Sequence, residues 1–281
     1  MTREVQDLFT IELNTEPLSA KSQFDHHKLI RVILAHTELE MIVPYNAATK
    51  AKPPKLQHKE SASLQPDDVV AIRNALEFEP IRWKAMVHLL LLSGCRRGEI
   101  AGLMWNKIDW ENNQIKIDQA LLYSKTRGLY VDTTKTGATR FIKLPAETME
   151  LLGKYREWYQ TLQHKNDDRW QDSGFVFVRD NGEPAHPDSL NKWLRGFSSR
   201  HELPYIHPHL FRHTMASLLY FAGKDSVTIS KRLGHAKVST TTDIYSHIIK
   251  QADEQAAESI ADVILRTPPA GCMSKKIRAI F

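Results

Sequence analysis

Two arginines, a lysine, two histidines and a tyrosine follow one another along this chain as Arg96, Lys135, His209, Arg212, His235 and Tyr245. Cations hold a phosphodiester by its oxygens, and a phenol can attack its phosphorus, so these residue types form a set for phosphoryl transfer. His209 and Arg212 lie in His209-Leu210-Phe211-Arg212-His213, His235 closes Leu233-Gly234-His235, and Tyr245 comes ten positions later. On a helix, positions i, i+3 and i+4 share a face, which aims His209, Arg212 and His213 at one spot. Arg212 offers a planar fork of donors for phosphate oxygens, and His209 can donate to the same phosphate or take a proton.

The other members need their surroundings. Arg96 follows Ser93-Gly94 at a helix start, where backbone N–H groups and a guanidinium can converge on an anion; Glu99, three residues on, is expected to face inward as an orienting carboxylate. Lys135 sits in Thr134-Lys135-Thr136-Gly137, read as a hairpin tip that brings an ammonium to a leaving oxygen. A free tyrosine has a pKa of about 10, so Tyr245 needs a base or a strong positive field to act as a nucleophile. Each residue also has an ordinary reading: a solvated His/Arg face, an arginine or lysine in a turn, a capping histidine, a surface tyrosine. Only their company separates the two.

The elements that must position them read as mostly helical. Phe24, Leu29, Ile30, Ile33 and Leu34 recur at helical spacing, predicting a helix over about 23–40 ended by Pro44. Lys50-Ala51-Lys52-Pro53-Pro54-Lys55 has the composition of an interdomain linker or a surface loop. Helices follow from Pro66 to about Phe78, Pro80 to Leu92, and Arg97 to Met104. Strand patterning then predicts one hairpin from Lys107–Trp110 and Gln114–Leu122, and a second from Leu129–Thr133 and Thr139–Leu144. Helices are expected over 146–163, 187–201, 208–222, 225–233, 239–249 and 252–265, with a short apolar segment at Phe175–Val178 and Gly223 and Gly234 placed as C-terminal caps. From Thr267 the tail reads as loose.

Composition narrows the class without choosing a function. The 281 residues carry 38 Lys plus Arg against 33 Asp plus Glu, a formal net charge of +5 that permits a polyanionic partner but does not demand one. The two cysteines, Cys95 and Cys272, stand in no metal-ligand or disulfide spacing, so no structural zinc is expected and a reducing cytoplasm is the natural compartment. The start leads into no apolar signal core, and the apolar run Met86 to Leu92, interrupted by His88, is far too short to span a bilayer.

Taken together, the motifs resemble those of the tyrosine recombinases of the phage-integrase type, closest to integrases of bacterial phages and conjugative transposons. That family carries, in order, Gly-x-Arg-x-x-Glu, a hairpin lysine, His-x-x-Arg, Leu-Gly-His and a tyrosine about ten residues later. Here they stand as Gly94 to Glu99, Lys135, His209 to Arg212, Leu233 to His235, and Tyr245, over roughly residues 60–260. The resemblance implies that Arg96 and Arg212 clamp the nonbridging oxygens of the scissile phosphate. It makes His209 a general base or phosphate ligand, His235 a second phosphate-bonding imidazole, Lys135 the acid that protonates the departing 5′ oxygen, and Tyr245 the nucleophile. It implies a mainly α fold with a small antiparallel sheet: a partial helical core-binding segment and linker in 1–55, a catalytic domain in 56–266 and a flexible tail in 267–281. No cofactor, metal or ATP is implied.

Ser93 stands where the family often has threonine, and only about 55 residues precede the linker's end, where relatives carry a complete core-binding domain. The implied partners are double-stranded attachment-site DNA and three further protomers in a tetramer, with DNA-bending accessory proteins and no membrane. The tetramer would use the segment 252–265, which could equally fold back on its own core. The reading is therefore a site-specific DNA recombinase that integrates or excises a mobile element in a bacterial cytoplasm. The alternatives are a type IB topoisomerase-like enzyme and a non-catalytic DNA-binding regulator on the same fold.

Overall fold

The computed structural model describes residues 18–56, 63–134, 137–235 and 237–238. The chain divides into two compact units, Met1–Lys59 and Glu60–Phe281.

In the first unit, helix α1 spans Ala20–Leu39 and starts where Ser19 Oγ accepts the Ser22 N–H at 3.1 Å. It stops short of Pro44 because Met41 takes a left-handed conformation, φ 57°. The chain then turns back: Asn46 Nδ2 donates to Arg31 O at 2.9 Å, and a 3-10 turn at Ala47–Thr49 brings Ala48 O within 3.1 Å of His27 Nε2. None of the α1 side chains is buried, and Leu29, Val32 and Ile33 are exposed.

In the second unit, α2 (Pro66–Leu76) has proline at its first position, and the Asp68 carboxylate accepts the Gln65 N–H at 2.9 Å. It ends two residues before the expected Phe78, whose side chain is exposed. Helix α3 (Ile81–Ser93) buries Ala85, Met86, Val87, Leu89 and Leu90 and runs through the core; Gly94, left-handed at φ 64°, terminates it. Helix α4 covers only Arg97–Ala101, not the expected stretch to Met104. At Gly102 the chain crosses a strand so closely that a Cβ there would lie 2.7 Å from the Leu121 backbone nitrogen.

The strand pairing departs from the sequence reading. β1 (Ile108–Asp109) and β2 (Gln114–Ile117) do pair, with Ile108 opposite Ile115. The expected single strand 114–122 breaks at Asp118, whose carboxylate takes the ammonium groups of Lys107 at 2.7 Å and Lys116 at 2.9 Å. β3 (Gln119–Ser124) begins beyond the break and pairs with β4 (Gly128–Thr133), with Leu121 opposite Val131. β5 (Arg140–Lys143) pairs instead with β2, with Ile115 opposite Ile142. The expected hairpin of 129–133 with 139–144 therefore does not form. A tight connection closed by Gly128 at φ 68° joins β4 to its sequence neighbour β3, and buried Ile115, Ile117 and Ile142 draw β5 onto the other sheet. β4 and β5 thus belong to different sheets and do not flank a hairpin tip.

Four more helices complete the described unit: α5 (Ala146–Asn166), α6 (Pro187–Arg200), α7 (Pro208–Phe221) and α8 (Ser226–Leu233). The last three start on side-chain caps. His186 Nδ1 accepts the Asp188 N–H, His207 Nδ1 accepts the Leu210 N–H, and Asp225 accepts the N–H groups of Val227 and Thr228. Both α3–α7 and α3–α5 faces are packed with fully buried side chains, Leu89, Leu90, Tyr155, Phe177 and Phe211 among them. The helices expected over 239–249 and 252–265, and the tail, lie outside the described residues.

Candidate active site

Four stretches that are distant in sequence, 94–99, the start of β5, α7 and the end of α8, meet where α3 ends and α4 begins. Glu99 is 2% exposed in side-chain terms, so its charge must be met inside the protein. Its Oε2 accepts the Arg96 N–H at 2.9 Å and Arg140 Nη2 at 2.6 Å; its Oε1 accepts Arg96 Nη1 at 2.8 Å and Arg140 Nη1 at 3.2 Å. These donors outweigh burial and hold the carboxyl below the ordinary range, so it is ionised at neutral pH.

Arg212, on α7, is 5% exposed. Its Nη1 donates to Gly94 O at 2.7 Å and its Nη2 to Leu233 O at 2.8 Å. One guanidinium thus ties the C-terminal ends of α3 and α8 together. Burial, and next the charge of Arg96, push its pKa down to about 10, still far above neutrality. Arg96 Nη2 donates to Gly234 O at 3.3 Å, and Arg140 Nε donates to Arg232 O at 3.1 Å. The last carbonyls of α8, those of Arg232, Leu233 and Gly234, are therefore each met by a different arginine. Helix C-terminal carbonyls lack intrahelical donors and carry partial negative charge, so this end draws cations.

Gly234 permits the arrangement. It is left-handed at φ 68°, and a Cβ there would lie 2.8 Å from Arg140 Nη1. Beyond it the His235 N–H donates back to Ser230 O at 3.1 Å, which closes the helix and sets the imidazole beside the arginines. Burial, then Arg212 and Arg96, push the His235 pKa down to about 4. His213 falls to about 4 as well, through burial and then His209 and Arg212. His209, on the same α7 face, is also lowered by burial and by Arg212. At neutral pH these rings are neutral and can each donate one hydrogen bond and accept another.

Arg96, His209, Arg212 and His235 from the sequence reading are thus brought to one place. Lys135 and Tyr245 lie outside the described residues, although the residues beside Lys135 are joined, Gly137 N–H donating to Thr134 O at 2.7 Å. Arg140 was not anticipated. Its one sequence signal is alternation with Ile142, which places both on the same inward face of β5. Cys95 is wholly buried, its Sγ 3.5 Å from Arg140 Nη2, and burial raises its thiol pKa, which keeps it protonated. Arg97, beside Arg96, instead pairs with Asp188 on α6 at the surface.

The phage integrase family model matches residues 62–252. The ICEBs1 integrase of Bacillus subtilis (strain 168) is 26% identical over 264 residues, 93% of this chain and 71% of that protein. Other curated relatives, such as the Tn916 transposase of Enterococcus faecalis at 40% and the tyrosine recombinase XerA of Saccharolobus solfataricus at 65%, are spanned over less than two thirds of their length. Among solved structures, the Tn1549 transposon integrase in complex with circular intermediate DNA superposes with a TM-score of 0.70 at 18% identity, covering 87% of this chain and 79% of that one. The lambda integrase tetramer bound to a Holliday junction gives 0.61 at 16% identity, covering 84% and 64%.

Proposed function

This chain belongs to the phage integrase family of tyrosine recombinases, and from that premise we propose that it cuts and rejoins duplex DNA through a covalent 3′-phosphotyrosyl intermediate. The observation that carries the reading is the pairing of Arg96 and Arg212 on adjacent carbonyls, Gly234 and Leu233, immediately before His235. A phosphodiester beside these groups would meet two guanidinium charges and an imidazole donor at once. Phosphoryl transfer gathers charge on the equatorial oxygens, and preorganised cations stabilise it without rearranging.

In this reading the Tyr245 oxygen attacks phosphorus and the bond to the 5′ oxygen breaks. Lys135 gives that oxygen its proton, leaving a free 5′ hydroxyl. The 5′ hydroxyl of another strand then attacks the phosphotyrosine, re-forming a phosphodiester and returning the phenol. One phosphoester bond is exchanged for another at each step, so no ATP is consumed. Arg96 and Arg212 hold the nonbridging oxygens, His235 donates to one of them, and His209 bonds the phosphate or takes the tyrosine proton. The positive charge that a metal ion would bring elsewhere is here supplied by side chains.

The domain reading belongs to the same proposal: 1–55 a partial core-binding segment and linker, 56–266 the catalytic domain and 267–281 a tail. The solved relatives bound to DNA, and the tetramer on a Holliday junction, favour duplex DNA as partner and a tetramer as the active assembly. Among the described residues no helix is long and apolar enough to cross a membrane; we place the protein with its DNA in the cytoplasm. The test is a nicked duplex carrying the element's end, mixed with the protein and resolved under denaturing conditions. A protein–DNA adduct that Tyr245→Phe abolishes is expected. An adduct that survives Tyr245→Phe would move the nucleophile elsewhere, and no adduct with wild type would leave a DNA-binding function only.

A further inference from the structure

We propose that Arg140 is a positioning residue for strand cleavage: it takes up the charge of Glu99 so that Arg96 can give its own to the phosphate, and it holds the end of α8 from which His235 projects. This rests on the reading of the site as a phosphodiester clamp. It adds a residue that the motif set lacks.

The geometry separates Arg140 from Arg96, the more exposed of the two clamp arginines. Its side chain is 10% exposed, against 25% for Arg96, and every nitrogen of its guanidinium is directed at protein. Nε meets Arg232 O, Nη1 meets Glu99 Oε1, and Nη2 meets Glu99 Oε2 and Cys95 Sγ. Both of its Nη groups face the Glu99 carboxylate, whereas those of Arg212 face neutral backbone carbonyls, so the charge of Arg140 is matched inside the protein. What it does is electrostatic. Glu99 is needed to fix Arg96, because it bonds both the Arg96 N–H and Nη1. Alone with Arg96, however, that buried carboxylate would cancel the charge the phosphate requires. Arg140 binds the same carboxylate through both oxygens and restores the balance. Three guanidinium groups against one carboxylate leave two positive charges for the phosphate; without Arg140 one is left.

The second contribution is mechanical. Arg140 lies on β5, anchored by pairing with β2, and its Nε reaches the α8 carbonyl of Arg232, three residues before His235. Gly234 lies against the same guanidinium, with room for no side chain. The imidazole therefore inherits its place from a strand as well as from its own helix.

The experiment compares the full chain with Arg140→Gln, Arg140→Lys and the double variant Arg140→Gln/Glu99→Gln, on the duplex with which wild type forms its covalent adduct. Single-turnover adduct formation, DNA affinity and thermal unfolding are each measured. We expect Arg140→Gln to slow cleavage about 10- to 100-fold, as when a partner behind a reacting group is removed, with DNA affinity unchanged. Adding Glu99→Gln should recover part of that rate, because the buried negative charge competing for Arg96 has gone. A purely structural arginine would instead make the double variant slower than either single one. Should Arg140→Gln fail to fold, Arg140→Lys keeps the charge but cannot span both Glu99 oxygens and Arg232 O, and a folded Arg140→Lys slowed at unchanged affinity supports the proposal. Cleavage by Arg140→Gln or a folded Arg140→Lys at the wild-type rate, a loss wholly in DNA affinity, or no recovery in the double variant would overturn it. Wild type forming no adduct on any duplex would instead overturn the phosphoryl-transfer reading beneath it.

Discussion

Arg212→Lys keeps a charge and removes a fork, and it separates two explanations of why this arginine is buried. Arg212 spans Gly94 O at 2.7 Å and Leu233 O at 2.8 Å, carbonyls at the ends of two different helices. A lysine has one nitrogen and satisfies one of them well. The other carbonyl loses its donor in a site that is 5% exposed, which costs about 1–3 kcal/mol of folding stability. The chemical step should suffer more. Removing one preorganised donor to a developing oxyanion typically slows a reaction roughly 100- to 1,000-fold, about 3–4 kcal/mol in the barrier. DNA affinity and its salt dependence should barely move, since the slope counts charges, and the charge is retained. Single-turnover adduct formation, anisotropy titrations at several salt concentrations and urea unfolding measure the three quantities independently. A lysine variant that cleaves at the wild-type rate would refute the argument that the fork matters. So would a rate loss that tracks weakened binding at every salt concentration.

Three further outcomes follow from the same coordinates. Burial and neighbouring arginines push His213 and His235 down to about 4, against an unfolded imidazole near 6.5. The unfolded chain therefore binds more protons between those values, and stability complete above pH ~6.5 is lost as pH falls towards 4; both rings are partly solvated, so each contributes on the order of 1 kcal/mol, and His213→Gln should flatten the urea-midpoint profile in that window. Gly102→Ala places a Cβ 2.7 Å from the Leu121 backbone nitrogen and should destabilise by about 1–3 kcal/mol, whereas Gly153→Ala, in open space on α5, should stabilise by about 0.5–1 kcal/mol; equal urea midpoints for the two would contradict the packing at the β3 crossing. Adduct formation should be undiminished in excess chelator, because guanidinium groups carry the phosphate's charge; a loss restored by added magnesium would show that a metal shares that task.

How much of this was readable beforehand depended on whether a residue's role is local. Helix ends were legible at Gly223 and Gly234, where a left-handed glycine does what few other residues can. The face shared by His209 and Arg212 was legible because helix periodicity alone sets it. Strand partners were not. The patterns of 114–122, 129–133 and 139–144 are each compatible with a strand, and nothing in them says that Asp118 breaks the first run or that β5 chooses β2 over β4. That choice is made by which isoleucines the core can bury, a property of the assembled fold. Arg140 was invisible for the same reason. It begins a strand whose partner the sequence leaves open, and only the β2–β5 register turns it towards Glu99.

Bond lengths order the clamp by strength. Of the three arginine bonds to the end of α8, that of Arg212 is 2.8 Å, that of Arg140 3.1 Å and that of Arg96 3.3 Å. The last lies beyond the usual range for an N–H···O bond and joins the most exposed of the three side chains. A phosphate carrying full negative charge is a better acceptor than a peptide carbonyl, so Arg96 Nη2 is the donor that can leave Gly234 O at least cost. Its Nη1 stays on Glu99 meanwhile, so the guanidinium pivots and does not drift. The shorter bonds of Arg212 and Arg140 keep α8 closed while this happens. The helix end that gathers the cations before DNA arrives is thus also what keeps His235 in register once one of them turns to the phosphate.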